Sequence, residues 1–193
     1  VANARSIENT RDAVYARAST LTEKSAKKLF EEPFAGVLKE LDDETRDELF
    51  YVAKEEVETL TKGEPSWPSV FNTYAELAEL VTFIREPHAP EPEDALSDLA
   101  LQVFSAQNRI TTLFYVLRTN KDLTEAQGRN VIEAAFPLAV RGLSDEVRKA
   151  IFSYAYERNS GGGWGEVAEA YSKLAELVSR VKPDGVTVVD SGV

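Results

Sequence analysis

The chain has 193 residues, 22 Lys+Arg against 33 Asp+Glu, a formal net charge of -11 and a pI near 4.7. It contains no Cys, no Met and one His, His88. These counts exclude disulfide frameworks, thiol nucleophiles, Cys-ligated zinc or iron–sulfur clusters, and His-rich metal sites within a single chain.

The acidic balance argues against nucleic acid as a partner, because such binders usually neutralise phosphates with a Lys/Arg stripe. The densest basic patch, Lys24, Lys27 and Lys28, is ringed by Glu23, Glu31 and Glu32. Hydrophobic residues at 43% and charged residues at 28% are the balance of a globular chain. The longest apolar region, 100–117, is interrupted by Gln102, Gln107, Asn108 and Arg109, so no transmembrane helix is expected. The opening Val1-Ala2-Asn3-Ala4 fits removal of an initiator Met before a small residue, or cleavage of a targeting segment. Compartment is therefore left open.

Strand signals are nearly absent, and the apolar spacing predicts an all-α fold of about eight helices, four in each of two units. In the first unit, residues 1–86, helices are expected over 5–19, 22–40, 43–61 and 67–85. Pro33 lies inside the second of these and predicts a kink or break near Glu31–Phe34. The third starts after Asp42 with two acids, Asp43 and Glu44, in its first turn. Its buried stripe is Leu49, Phe50, Ala53, Val57 and Leu60. The fourth is opened by Ser66-Trp67-Pro68, an N-cap with proline in the first turn. Its stripe is Val70, Tyr74, Leu77, Leu80, Val81 and Ile84.

A Pro-rich linker, 87–92, carries His88 between prolines, which predicts a solvated histidine. The second unit, 93–182, is expected to hold helices over 93–118, 124–141, 144–158 and 164–181. The fifth helix has the stripe Leu99, Val103, Ala106, Ile110, Leu113 and Leu117, broadened by Phe104, Phe114 and Val116. That breadth predicts a continuous helix covered on more than one side, between the units. Thr124 with Gln127 fits a capping box, and Ser144 before Asp145 and Glu146 fits an N-cap. Pro137 predicts a second break near Ala134–Pro137, and Gly161-Gly162-Gly163 ends the seventh helix. In the tail, 183–193, Val186-Thr187-Val188-Val189 has β preference and is read as an extended arm, on this protein or on a partner.

The chain also repeats itself. A shift of 102 places residues 21–56 on 123–158 with 12 of 36 positions identical, including Leu21-Thr22-Glu23 on Leu123-Thr124-Glu125 and Arg46 on Arg148. A shift of 97 places 67–82 on 164–179 with 8 of 16 identical, including Trp67 on Trp164 and Tyr74 on Tyr171. Unrelated segments would share about 3 positions over this length. The expected architecture is therefore a tandem duplication of a four-helix unit, pseudo-twofold, with apolar faces packed on each other.

Few constellations carry chemistry. No Gly-x-Ser-x-Gly elbow or Glu-x-x-His di-iron motif is present, and a Ser-His-Asp triad could use only His88. Gly161-Gly162-Gly163-Trp164-Gly165 is glycine-rich and opens a helix, but it lacks the Lys-Ser/Thr ending and preceding strand of a P-loop. No catalytic residue, metal ligand or cofactor is predicted. The candidate interface or ligand contacts are Trp67, Trp164, Arg46, Arg148, Phe104, Phe114, Val186 and Val188. Matched Trp residues suit core anchors, interface hot spots or flat walls for a ring-shaped ligand. Matched Arg residues suit exposed helix ion pairs or buried links. The expected function is a non-catalytic structural or interaction subunit with a protein partner or self-assembly. The alternatives are a binder of an apolar ligand or pigment held between the units, and an enzyme using carboxylate, Tyr or Arg chemistry.

Overall fold

The computed structural model describes residues 4–61, 64–88 and 96–182, and in these the fold is all-α with no strand. The chain divides into two compact units, Val1–Glu86 and Pro87–Val193. No helix among the described residues is long and apolar enough to cross a membrane.

The first unit contains α1 (Ala4–Arg17), α2 (Glu23–Glu31), α3 (Ala35–Leu38), α4 (Asp43–Thr61) and α5 (Trp67–Arg85). Helix α2 starts at a capping box in which Thr22 and Ser25 exchange side-chain-to-backbone bonds. It ends at Glu31, and Glu32–Phe34 forms a 3-10 turn with Pro33 in its first positions. The break predicted from Pro33 is present, because the proline ring removes a donor and crowds the preceding turn. Asp42 caps α4 by accepting from the Thr45 amide at 2.7 Å, and Ser66 caps α5 by accepting from the Ser69 amide at 3.3 Å. Helix α5 packs on α4 and α1. The core is aromatic: Phe30 lies 5.1 Å from Phe71, 5.7 Å from Tyr74 and 5.8 Å from Phe50 between ring centroids. Leu60, read as part of the α4 stripe, is instead 59% exposed at the last turn of its helix.

The second unit contains α6 (Asp98–Phe104), α7 (Arg109–Thr119), α8 (Glu125–Ala135), α9 (Pro137–Val140), α10 (Asp145–Asn159) and α11 (Trp164–Val181). The continuous helix expected over 93–118 is two helices. Polar residues break it: Ser105 Oγ donates to the Leu101 carbonyl at 2.5 Å, and Arg109 Nε donates to the Phe104 carbonyl at 2.8 Å. Asn108 then caps α7 by accepting from the Thr111 amide at 3.1 Å. Such local bonds offer the backbone an alternative to helix, and apolar spacing does not register them. The expectation that this segment is covered on several sides also fails, since Leu101, Phe104 and Ile110 are 52%, 39% and 41% exposed.

Phe136 leaves the helical region (φ -122°, ψ 50°), which ends α8 just before Pro137, as a residue preceding proline tends to do. The capping box of Thr124 with Gln127 is formed, and buried Ser144 caps α10 by accepting from the Val147 amide at 3.3 Å. A 3-10 turn over Ser160–Gly162 leads to Gly163, whose φ of 91° suits a residue without Cβ. Helix α11 packs on α10, α7 and α9. Its last turn is tied down by Lys182 Nζ, which donates to the carbonyls of Leu138 (2.7 Å) and Arg141 (3.1 Å). This core is mostly aliphatic, with Leu113, Val116, Val131, Ile132, Ile151 and Val167 buried around Phe152 and Tyr171.

Candidate functional site: a charge cluster and a cleft in the second unit

Two features stand out in the second unit. The first is a buried charge cluster joining α8 to α10. Glu133 is 7% exposed. It accepts from Arg129 Nε at 2.8 Å, one helical turn away on α8, and from Arg148 Nη1 at 3.4 Å, on α10. Arg129 also bonds Asp145, whose other oxygen lies 2.8 Å from Lys149 Nζ. Arg148 reaches Asp145 at 3.6 Å. Two carboxylates and two guanidiniums thus neutralise one another, as charges removed from water require.

The electrostatics follow from these positions. Burial pushes the Glu133 carboxyl up, against the pull of its bonds to Arg129 and the charge of Arg148. Hydrogen bonds from Lys149 and then Arg129 hold Asp145 down at about 2. Fully buried Tyr171 is pushed well above the usual phenol range by desolvation, with the Glu133 charge adding to it. Its hydroxyl has no hydrogen-bond partner among the described residues.

The second feature is a cleft of about 740 Å³ between α7 and the start of α11. Phe114, Tyr115 and Leu117 form one side and Trp164 the other, with Gly162, Gly163 and Gly165 along the turn and Arg118 and Lys121 as its charged lining. Trp164 is held from behind. Its ring lies against the face of Gly128, where a Cβ would fall inside the indole, and 5.6 Å from Tyr156. Glycine at 128 is therefore a packing requirement of the tryptophan.

The sequence-derived candidates land in different places. Trp164 and Phe114 come together at the cleft. Trp67 is a half-buried anchor in the first unit, packed near Phe30 and Phe50, and its indole N–H donates to the Leu21 carbonyl at 3.0 Å. Arg46 forms a surface pair with Asp43, one helical turn away and 90% exposed. Arg148, the residue matched to it, is the buried link. Phe104 is exposed with the Arg109 guanidinium 5.0 Å above its ring. Val186 and Val188 lie outside the described residues. His88 is not the solvated histidine expected between its prolines: its side chain is 15% exposed, with Nδ1 4.0 Å from Glu146.

Sequence reasoning missed Arg129, Glu133, Gly128, Tyr115, Arg118 and Lys121. One signal was available, since Glu31 and Glu133 are identical in the repeat frame and each follows a cation by four residues, Lys27 and Arg129. No known family, curated protein or solved structure matches the chain.

Proposed function

We propose that the protein is a non-catalytic helical interaction subunit, built from two copies of one helical module, and that it meets a protein partner through α6 and α7. The observation that carries this reading is the distribution of exposed apolar side chains. Of nine large hydrophobic residues exposed among the described residues, five fall between 96 and 115: Leu96, Leu101, Phe104, Ile110 and Tyr115. Their concentration in one stretch of the chain supports a contact surface there, which isolated exposed leucines would not. The duplicated-module part rests on the matched positions in sequence, and on the similar succession of a capped helix, a proline break and two long helices in each unit.

The way the buried carboxylates are engaged supports a non-catalytic reading. Glu133 and Asp145 are engaged by Arg129, Arg148 and Lys149, an arrangement that suits holding α8 to α10. The test is light scattering together with affinity capture, comparing wild type with the double variant L101D/F104D. The expected result is a mass above the monomer, or an identified partner, present for wild type and lost in the variant. A strict monomer whose captured proteins are the same for both chains would overturn the proposal.

A further inference from the structure

We infer that the cleft beside Trp164 is a binding site for a small planar aromatic acid. This goes beyond the partner surface on α6 and α7, with which the cleft shares Tyr115, and the closing comparison separates the two. A volume of about 740 Å³ suits a small organic molecule, for which pockets typically run from about 300 to 1,000 Å³. The walls are rings: Phe114 and Tyr115 from α7, and Trp164 from the start of α11. Flat, polarisable walls favour a flat apolar body, which stacks on them and leaves water.

Charge selects the rest of the ligand. The protein carries 11 more acids than bases, yet the charged residues lining this cleft, Arg118 and Lys121, are both basic. Neither forms an ion pair among the described residues. A carboxylate on the aromatic body would give Arg118 the planar, bidentate partner that a guanidinium recognises. The anionic end belongs on the side of these cations and not over the Gly162 turn, where the Glu166 carboxylate already lies. The site is also pre-formed on one side. Gly128 and Tyr156 hold the Trp164 ring in place, so little side-chain freedom is lost when a ligand stacks on it.

The first unit does not repeat this arrangement. Glu64-Pro65-Ser66 replaces the glycines, and Trp67 is tied to the Leu21 carbonyl. That difference supplies an internal control, because the chain has only two tryptophans. In a ¹H–¹⁵N spectrum, each indole N–H gives one peak, assigned with W67F. Titration of the full chain with 2-naphthoate should shift the Trp164 peak saturably and leave the Trp67 peak in place. The neutral analogue 2-naphthylmethanol should bind at least tenfold more weakly, and R118E/K121E should weaken naphthoate by a similar factor. Both substituted residues are exposed, and a Trp164 peak that keeps its wild-type position in the unliganded variant reports a folded second unit. The inference fails if neither peak moves, if both move alike, if the alcohol binds as well as the acid, or if R118E/K121E binds as wild type does. Loss of the α6–α7 partner in L101D/F104D with naphthoate binding intact would separate this site from the partner surface.

Discussion

Five matched positions of the repeat carry related residues in both units, and the four charged ones do different work in each. In the first unit they are Lys27, Glu31, Asp43, Arg46 and Tyr74; in the second, Arg129, Glu133, Asp145, Arg148 and Tyr171. Lys27 and Glu31 keep side-chain exposures of 29% and 28% and lie 3.8 Å apart, while Arg129 and Glu133 are at 13% and 8% and lie 2.8 Å apart. The core around them explains the contrast. Phe30 and Phe71 fill the first unit where the second has Ile132 and Ala168. Rings close off the interior of one unit, whereas smaller side chains accompany a buried ion cluster in the other. Identity of residue type in a repeat is therefore a poor guide to energetic role. Burial decides it, because a charge pair in water contributes little and a desolvated one is costly to break.

The largest expected effect tests that contrast directly. E133A would remove the more deeply buried of the two carboxylates that Arg129 and Arg148 share, leaving both guanidiniums to Asp145, and should cost about 3 kcal/mol or more. E31A removes only a half-exposed partner of Lys27, which is also paired with Asp47, and should cost less than about 1 kcal/mol. Urea unfolding read in single-tryptophan backgrounds distinguishes the two, with Trp67 reporting the first unit and Trp164 the second. Equal costs would mean that burial is not what separates the two clusters.

Next comes one matched small residue, Ala26 on α2 and Gly128 on α8. Glycine-to-alanine in a helix interior ordinarily stabilises by up to about 1 kcal/mol. G128A should do the opposite, by about 1–3 kcal/mol, because the new methyl falls inside the Trp164 ring. It should also move the indole and weaken naphthoate binding at the cleft. A26G in the first unit should cost about 1–2 kcal/mol, through helix propensity and the loss of a buried methyl, with Trp67 fluorescence unchanged. A stabilised G128A would show that Trp164 is free to swing, and that the cleft wall is not held from behind.

Much of this architecture is legible in the sequence. Helix type, the caps at Ser66, Thr124 and Ser144, and the breaks at Pro33 and Pro137 follow from local chemistry that acts within a few residues. The break at Ser105–Asn108 was not legible, because a continuous apolar stripe runs through it and the decisive bonds come from Ser105, Asn108 and Arg109 side chains. Glu133 is one of 33 acids, and although it is the lone charge in the apolar run 131–140, that run does not show which partners it meets. Its depth is set by helices far away in sequence. The cleft was half visible: Trp164 and Phe114 stand out as aromatics, but 50 residues separate them in the chain and only packing of α11 on α7 brings them together.

A pH titration sharpens the comparison at the acids. Asp145 titrates at about 2 in the folded protein, held there by Lys149 and Arg129, against roughly 3.9 for an unfolded aspartate. The folded state therefore favours the charged form, and the resulting stability is present above about pH 4 and lost as pH falls towards 2. D145N should cost about 1–2 kcal/mol at pH 7, a range discounted for the partly open side of the carboxylate. That cost should shrink as pH drops from 4 to 2. D43N, at the exposed counterpart, should cost less than about 0.5 kcal/mol at pH 7. A D145N penalty that persists unchanged at pH 2.5 would mean that the aspartate acts through geometry and not through its charge.

The smallest expected effects are at the matched tyrosines, where the two units should agree. Tyr74 sits among Phe30, Phe34 and Phe50 in an aromatic core, and Tyr171 sits beside Phe136 under the influence of Glu133, Arg129 and Arg148. Both are fully buried, and neither hydroxyl has a hydrogen-bond partner among the described residues. A buried donor without a partner costs its desolvation, so removing the hydroxyl while keeping the ring should be neutral or stabilising by up to about 1 kcal/mol. Y74F and Y171F are each expected on that side of zero in urea unfolding. A destabilised Y171F beside a neutral Y74F would show that the second phenol belongs to the charge cluster, donating to Glu133 in solution, and would extend the difference between the units from four positions to five.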